Sequence, residues 1–220
     1  MANMLEMNKD KEIVANLREY LDFISKAEST LLINRQIYHD FHKALIEQKA
    51  NWNLFIKWTV RNYYQVLILD ICKLLEANKS SKHDDGRTIP GFLELCKQHW
   101  QTLRNERLRA TGTNISLSET NFLEKALLKE KQKMFDNINI GTDLTKIKLL
   151  HEKIKRYRNK KIAHLTISNV DNDNLEFDEL HKIIDKIDSL ISKYYHLFGV
   201  SIDDSSLKTP YCYNFTMSLK

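Results

Sequence analysis

Glycine and proline are nearly absent from this chain, with five and two copies in 220 residues. That scarcity argues against turn-dense all-β architectures, and no hairpin signal or sustained period-2 alternation runs through the first 200 residues. Long apolar runs are missing too. The longest, around Val66–Ile71, is interrupted by Asp70 and is too short to span a bilayer. Cysteine is sparse: Cys72, Cys96 and Cys212 are widely spaced and odd in number, which implies neither a disulfide framework nor a zinc site. There is no glycine-rich phosphate loop, no nucleophile elbow and no recognisable pair of catalytic carboxylates. Met1–Lys11 is polar and carries no signal-peptide pattern. The expectation is a soluble, reduced, cytoplasmic protein that contacts no membrane and calls for no metal or cofactor.

What remains is rich in helix formers, so the fold expected is all-α. The length suits one domain, residues 1–199, with an irregular tail over 200–220. Apolar residues at three- and four-residue steps predict one long helix, or two in series, from about Lys11 to Ala50. Trp52–Ala77 reads as a central helix, apolar nearly all round and therefore buried by several neighbours. Thr88 and Pro90 have the places of a cap and a first-turn residue, for a helix fading through Arg104, Arg107 and Arg109. Ser116 and Glu119 have capping-box spacing before another helix. Thr142 or Asp143 then begins a basic helix. A last one runs from about Glu176 to Phe198, with Gly199 as its stop.

The net charge of +5 is modest, but its placement is not even. Lys146, Lys148, Lys153, Lys155, Arg156, Arg158, Lys160 and Lys161 face a single acid, Glu152, over sixteen positions. Such a cluster is either a solvated helix face or a phosphate-facing patch. At its end stands Tyr157-Arg158-Asn159-Lys160-Lys161-Ile162-Ala163-His164. Arg followed at short distance by His is weak as a pattern, and about one such match is expected by chance here. Arg35 and His42 supply another. The later segment differs in the Asn directly after Arg158, the Ala before His164, and its position closing the basic helix.

On those residues the chain resembles the HEPN superfamily (higher eukaryote and prokaryote nucleotide-binding domains), whose ribonucleolytic members carry an Arg-polar-x(3–5)-His signature. The aromatic-rich central helix, the Thr88-Ile89-Pro90 start and the late Arg-Asn-Lys-x-Ile-Ala-His segment most resemble the abortive-infection U-type proteins. The resemblance implies an up-and-down helical bundle, a homodimer, and a toxin-like ribonuclease of phage defence, with room for an antitoxin partner. Thr166 stands where relatives silenced by adenylylation carry a tyrosine, so that control is not expected here.

The chemistry follows from the residue types. His exchanges a proton near neutral pH, and Arg holds a phosphate through two parallel hydrogen bonds. His164 would take the proton of an RNA 2′-hydroxyl, or protonate the leaving 5′-oxygen, while Arg158 holds the scissile phosphate and Asn159 orients it. Lys155, Arg156, Lys160 and Lys161 would add backbone affinity, and Tyr157 would stack on a base of a tRNA or mRNA. Asn62 and Asp70 are candidate cleft-lining residues of the central helix, although structural hydrogen bonding or ion pairing, with Arg61 and Lys73 as the flanking cations for Asp70, is the plainer reading. Six helical positions rotate by about 240°, so Arg158 and His164 share a site only if the helix breaks near Ala163 or a second subunit faces it. The competing reading is a non-catalytic helical module that binds RNA or a protein partner.

Overall fold

The computed structural model describes residues 2–47, 53–76, 87–109, 129–130, 132–159 and 177–198, and among them it is helical with no strand. Six helices organise it: α1 (Ala2–Glu47), α2 (Leu54–Leu75), α3 (Ile89–Gln98), α4 (Trp100–Arg109), α5 (Ile140–Tyr157) and α6 (Phe177–Phe198). Ser116, Glu119, Gly199 and the whole 200–220 tail lie outside the described residues.

Of the two readings open for the N-terminal stretch, one long helix or two in series, the structure has one continuous helix. It begins at Ala2, well before the apolar stripe, and at about 1.5 Å per residue runs for some 70 Å. Leu17, Leu21, Ile24 and Leu31 recur on one face and are fully buried, so packing rather than propensity holds it straight through the Glu28–Thr30 phase shift. It packs along α6 and also meets α2, α3 and α4. On α6, Leu180, Ile183, Ile184, Ile187, Ile191 and Tyr194 return the same periodic stripe to the core.

Local caps set the other boundaries. Asn53 caps α2 by accepting from the Ile56 N–H, and Thr88 caps α3 by accepting from the Gly91 N–H. Pro90 sits in the first turn of α3, where no N–H is needed. The Tyr20 hydroxyl accepts from the Thr88 N–H, tying that cap to α1. The single helix expected through Pro90–Arg109 is broken at His99, where the chain turns before α4.

One expectation needs correction. α2 is not buried around its circumference. Leu67, Ile68, Ile71, Cys72, Leu74 and Leu75 are buried, but Leu54 (84%), Phe55 (67%), Trp58 (60%), Val66 (49%) and Leu69 (37%) are exposed. The composition is apolar on all sides, yet α1, α5 and the ends of α3 and α6 cover only part of it. The remainder is an open apolar stripe.

Candidate active site

The basic helix α5 starts three residues earlier than the sequence suggested. Asn139, not Thr142 or Asp143, is its cap, accepting from the Thr142 N–H at 3.0 Å. Asp143 sits inside the first turn, where a carboxylate complements the helix dipole. It is buried, ion-paired to Lys193 at 2.5 Å and hydrogen-bonded by the Tyr194 hydroxyl at 3.1 Å. Leu144, Ile147, His151 and Ile154 then face inward, against α2 and α3.

The far end carries the motif. The regular turn stops at Tyr157, and 158–159 form a wider π-type turn. The Arg158 N–H is shared there between the carbonyls of Ile154 and Lys155. Arg158 and Asn159 are both half-buried, and Arg158 Nε donates to Asn159 Oδ1 at 3.2 Å. The structure therefore joins these two side chains. Lys160, Lys161 and His164 lie outside the described residues.

The cations around the motif differ in availability. Lys153 is ion-paired with Glu179 of α6, so one positive charge of the cluster is bound to structure. Arg156 is exposed and Lys155 half-buried. Tyr157, the candidate stacking ring, is half-buried and meets Tyr64 of α2 edge-on, 5.6 Å between centroids. Tyr64 in turn meets Phe177 at 4.8 Å, so an aromatic chain pins the end of α5 to α2 and α6.

Three groups beside Arg158 carry no role in the sequence reading. His151 lies two turns earlier on the same face as Arg158, as its spacing of seven shows. Cys72 and Glu76 approach from α2: Cys72 feels the charges of Arg158 and Lys155, and the Glu76 carboxylate acts on both Cys72 and His151. Burial pushes the Cys72 thiol up to about 11, against the opposing pull of Arg158 and Lys155. It stays protonated near neutrality and is no nucleophile. His151 is lowered chiefly by burial, then by Lys155, with Arg158 adding to it.

The Nε2 atoms of His151 and His181 are buried and have no hydrogen-bond partner among the described residues. Burial lowers His181 as well, with Arg35 and His39 adding to the effect and Asp178 and Asp185 opposing it. Both imidazoles fold neutral, so between their lowered values and 6.5 the unfolded chain binds more protons. Their contribution is complete above 6.5 and is lost as the pH falls through the lowered values. Thermal melts from pH 7.5 to 5 should show a falling midpoint, with a shallower fall in His151→Gln/His181→Gln. An unchanged profile in that variant would remove these two residues as the cause.

The remaining candidates separate cleanly. Arg35, the other Arg…His match, is ion-paired to Asp185, and His42 stacks on Tyr38. His39 is exposed beside Asp40, and no cluster of three or more metal-type ligands occurs among the described residues. Asp70 pairs with Lys73 at 3.5 Å. Asn62 lines an open groove of about 300 Å³ between α1 and α2, with Asn34, Trp58, Tyr63 and Val66. Around α2, at 100° per residue, Asn62 and Asp70 lie on the exposed side, whereas Cys72 faces α5. Neither is therefore brought against Arg158 within one chain.

Residues 10–211 match the model of the HEPN family described as AbiU2. No curated protein and no solved structure matches the chain.

Proposed function

The chain belongs to the AbiU2 family of HEPN domains, and from that premise we propose that it is a metal-independent endoribonuclease of an abortive-infection system. The observation that carries the reading is the Arg158–Asn159 side-chain pair at the widened end of the chain's one strongly basic helix. Asn159 accepts through Oδ1 from Nε, which leaves the terminal guanidinium nitrogens of Arg158 to grip a phosphate.

A His164 imidazole takes the proton of the 2′-hydroxyl, and O2′ attacks the phosphorus. The bond from phosphorus to O5′ breaks as a protonated imidazole returns a proton to O5′. The products are a 2′,3′-cyclic phosphate and a 5′-hydroxyl end. Arg158 offsets the charge that builds on the non-bridging oxygens, so the step requires no metal. Lys155, Arg156, Lys160 and Lys161 supply salt-dependent backbone affinity, and Tyr157 holds the helix end in place through Tyr64. DNA, lacking the 2′-hydroxyl, is not cut. A homodimer belongs to this reading, because two copies of the motif complete a cleft that one helix leaves half-built.

The test is incubation of the purified chain with tRNA and mRNA in excess EDTA. Cleavage to cyclic-phosphate ends, absent with DNA of the same sequence, is expected. Salt-dependent RNA binding with no product would instead return the chain to the binding-module reading.

A further inference from the structure

We propose that the first half of α2 is a strand-binding subsite for single-stranded RNA. In it Lys57 and Arg61 hold phosphates beyond the scissile one, and Trp58 stacks an unpaired base at the mouth of the groove between α1 and α2. The subsite rests on the ribonuclease reading for its substrate, while its residues lie outside the Arg158 motif.

The direction of α5 brings the two regions into line. The charge of Glu76, at the end of α2, reaches His151, whereas Tyr157 touches Tyr64, much nearer the start of α2. α5 therefore runs antiparallel to α2 and points toward its N-terminal half. Lys57, Arg61 and Tyr64 follow one another at steps of four and three, so their side chains form one row along that helix. Arg61 and Lys57 thus prolong the positive charge of α5 past Tyr157. Both are exposed, neither makes an ion pair among the described residues, and residues 54–69 contain no acid. A row of unpaired cations leading away from a phosphate-binding motif suits a polyanion. It does not suit an apolar protein interface, which would bury those charges without partners.

The aromatic residues beside the row select a base rather than a bare phosphate chain. Trp58 follows Lys57 and lies about 100° round the helix from it, between the cation row and the groove. Its ring is exposed and lies close to parallel with that of Phe55, centroids 6.3 Å and planes 25° apart. Two exposed rings set in this way form a stacking platform, and every base has a π face to offer it. A duplex keeps its bases stacked on one another, so an unpaired base is required.

Beyond Trp58, the groove of about 300 Å³ is lined by Asn34 of α1 and Asn62 of α2. Both are half-buried, and neither amide has a hydrogen bond among the described residues. A base edge supplies the donors and acceptors that two such amides need, whereas an aliphatic side chain would leave them unsatisfied. Asn62 stands about 160° round α2 from Tyr64, so the base that reaches the groove belongs to a nucleotide several removed from the cut. The strand crosses α2 between α5 and α1, over the face that the fold leaves open. The substrate class is therefore an unpaired stretch or loop of RNA, longer than the nucleotides on either side of the scissile bond.

Fluorescence anisotropy of the full chain with a short single-stranded 2′-O-methyl oligoribonucleotide tests this, because that RNA lacks the attacking hydroxyl and stays intact. Trp58→Ala should weaken binding by about 10-fold, and Trp58→Phe much less. Asn62→Leu should weaken it by about 3- to 10-fold. Arg61→Ala should reduce the salt slope by about 0.7, as loss of one single-strand phosphate contact does. The same oligonucleotide annealed to its complement should bind Trp58→Ala and the parent alike. Unchanged affinity in Trp58→Ala, or an unchanged slope in Arg61→Ala, overturns the proposal whether or not the chain cuts RNA. Equal losses on single strand and duplex overturn the stacking. A lower sedimenting mass in Trp58→Ala with RNA affinity intact overturns it too, in favour of a protein interface. If Trp58→Ala does not fold, the slope of Arg61→Ala decides. Binding that follows these rules in a chain that cuts no RNA leaves the subsite standing and the ribonuclease reading fallen.

Discussion

Arg158→Ala is expected to reduce RNA cleavage by about 100- to 1,000-fold, the usual cost of removing one preorganised donor from a charged transition state. His164→Ala is expected to cost about 100- to 10,000-fold, as loss of a positioned proton-transfer group does. The two should not multiply, since groups acting on one phosphate as a unit are strongly non-additive. Arg158→Lys is expected to recover little, because a lysine ammonium cannot form the planar two-pronged contact that a guanidinium makes. Asn159→Ala should cost about 10-fold. It leaves the guanidinium present but removes the Oδ1 acceptor that fixes its orientation. The Arg158 and Asn159 variants should melt within a degree or two of the parent, because the two residues are half-buried at a helix end and hydrogen-bond to each other. Lys155→Ala should cut more gently, lowering affinity and reducing the salt slope by about one. Initial rates with a fluorescent RNA in EDTA, at two salt concentrations, separate these outcomes. Cleavage that survives in both Arg158→Ala and His164→Ala would move the chemistry elsewhere in the chain.

The sequence made the helical architecture legible because its signals are local and repetitive. The stripes of α1 and α6, and the Thr88–Pro90 start of α3, need no knowledge of neighbours. The uneven burial of α2 was not readable in the same way. Phe55, Trp58, Val66 and Leu69 look like core residues in any count of hydrophobicity, and only the placement of α1 and α5 reveals which side is left open. Asn139 was missed as a cap because Thr142 and Asp143 are equally good capping types three and four residues later; the choice depends on Asp143 being claimed by Lys193 and Tyr194 from α6. The site was half visible. Arg158 and Asn159 could be picked by their spacing and by the charge around them. Cys72 and Glu76 could not, because they arrive from a helix about eighty residues away. Likewise, nothing in the spacing distinguishes Arg35 from Arg158. The ion pair with Asp185 does.

The basic helix is held at both ends, and the N-terminal anchor should dominate stability. Asp143→Ala is expected to destabilise the fold by about 3 kcal/mol, as breaking one side of a buried ion pair does. The carboxylate is buried and accepts from both Lys193 and the Tyr194 hydroxyl. Its removal leaves Tyr194, only 1% exposed, with a hydroxyl in an apolar core and no acceptor. Lys193 suffers less, since about a third of its side chain reaches solvent. For a domain of this size, about 3 kcal/mol corresponds to a midpoint lower by roughly 6–12 °C. Asp143→Asn keeps an acceptor and the shape, and should cost nearer 1 kcal/mol. Tyr194→Phe in the Asp143→Ala background should recover part of the loss, because it removes the stranded hydroxyl along with its partner. Melts are compared at one fixed protein concentration, because the midpoint of any self-associating chain depends on concentration. The same anchor fixes the N-terminal end of α5, whose far end carries Arg158 directly after the Tyr157–Tyr64 contact. Partial loss of RNA cleavage is therefore expected in Asp143→Ala well below its melting point, with Arg158 chemically intact but misplaced. If activity per folded molecule is unchanged while stability falls, the Tyr157–Tyr64 contact alone positions the motif and the anchor serves only the fold.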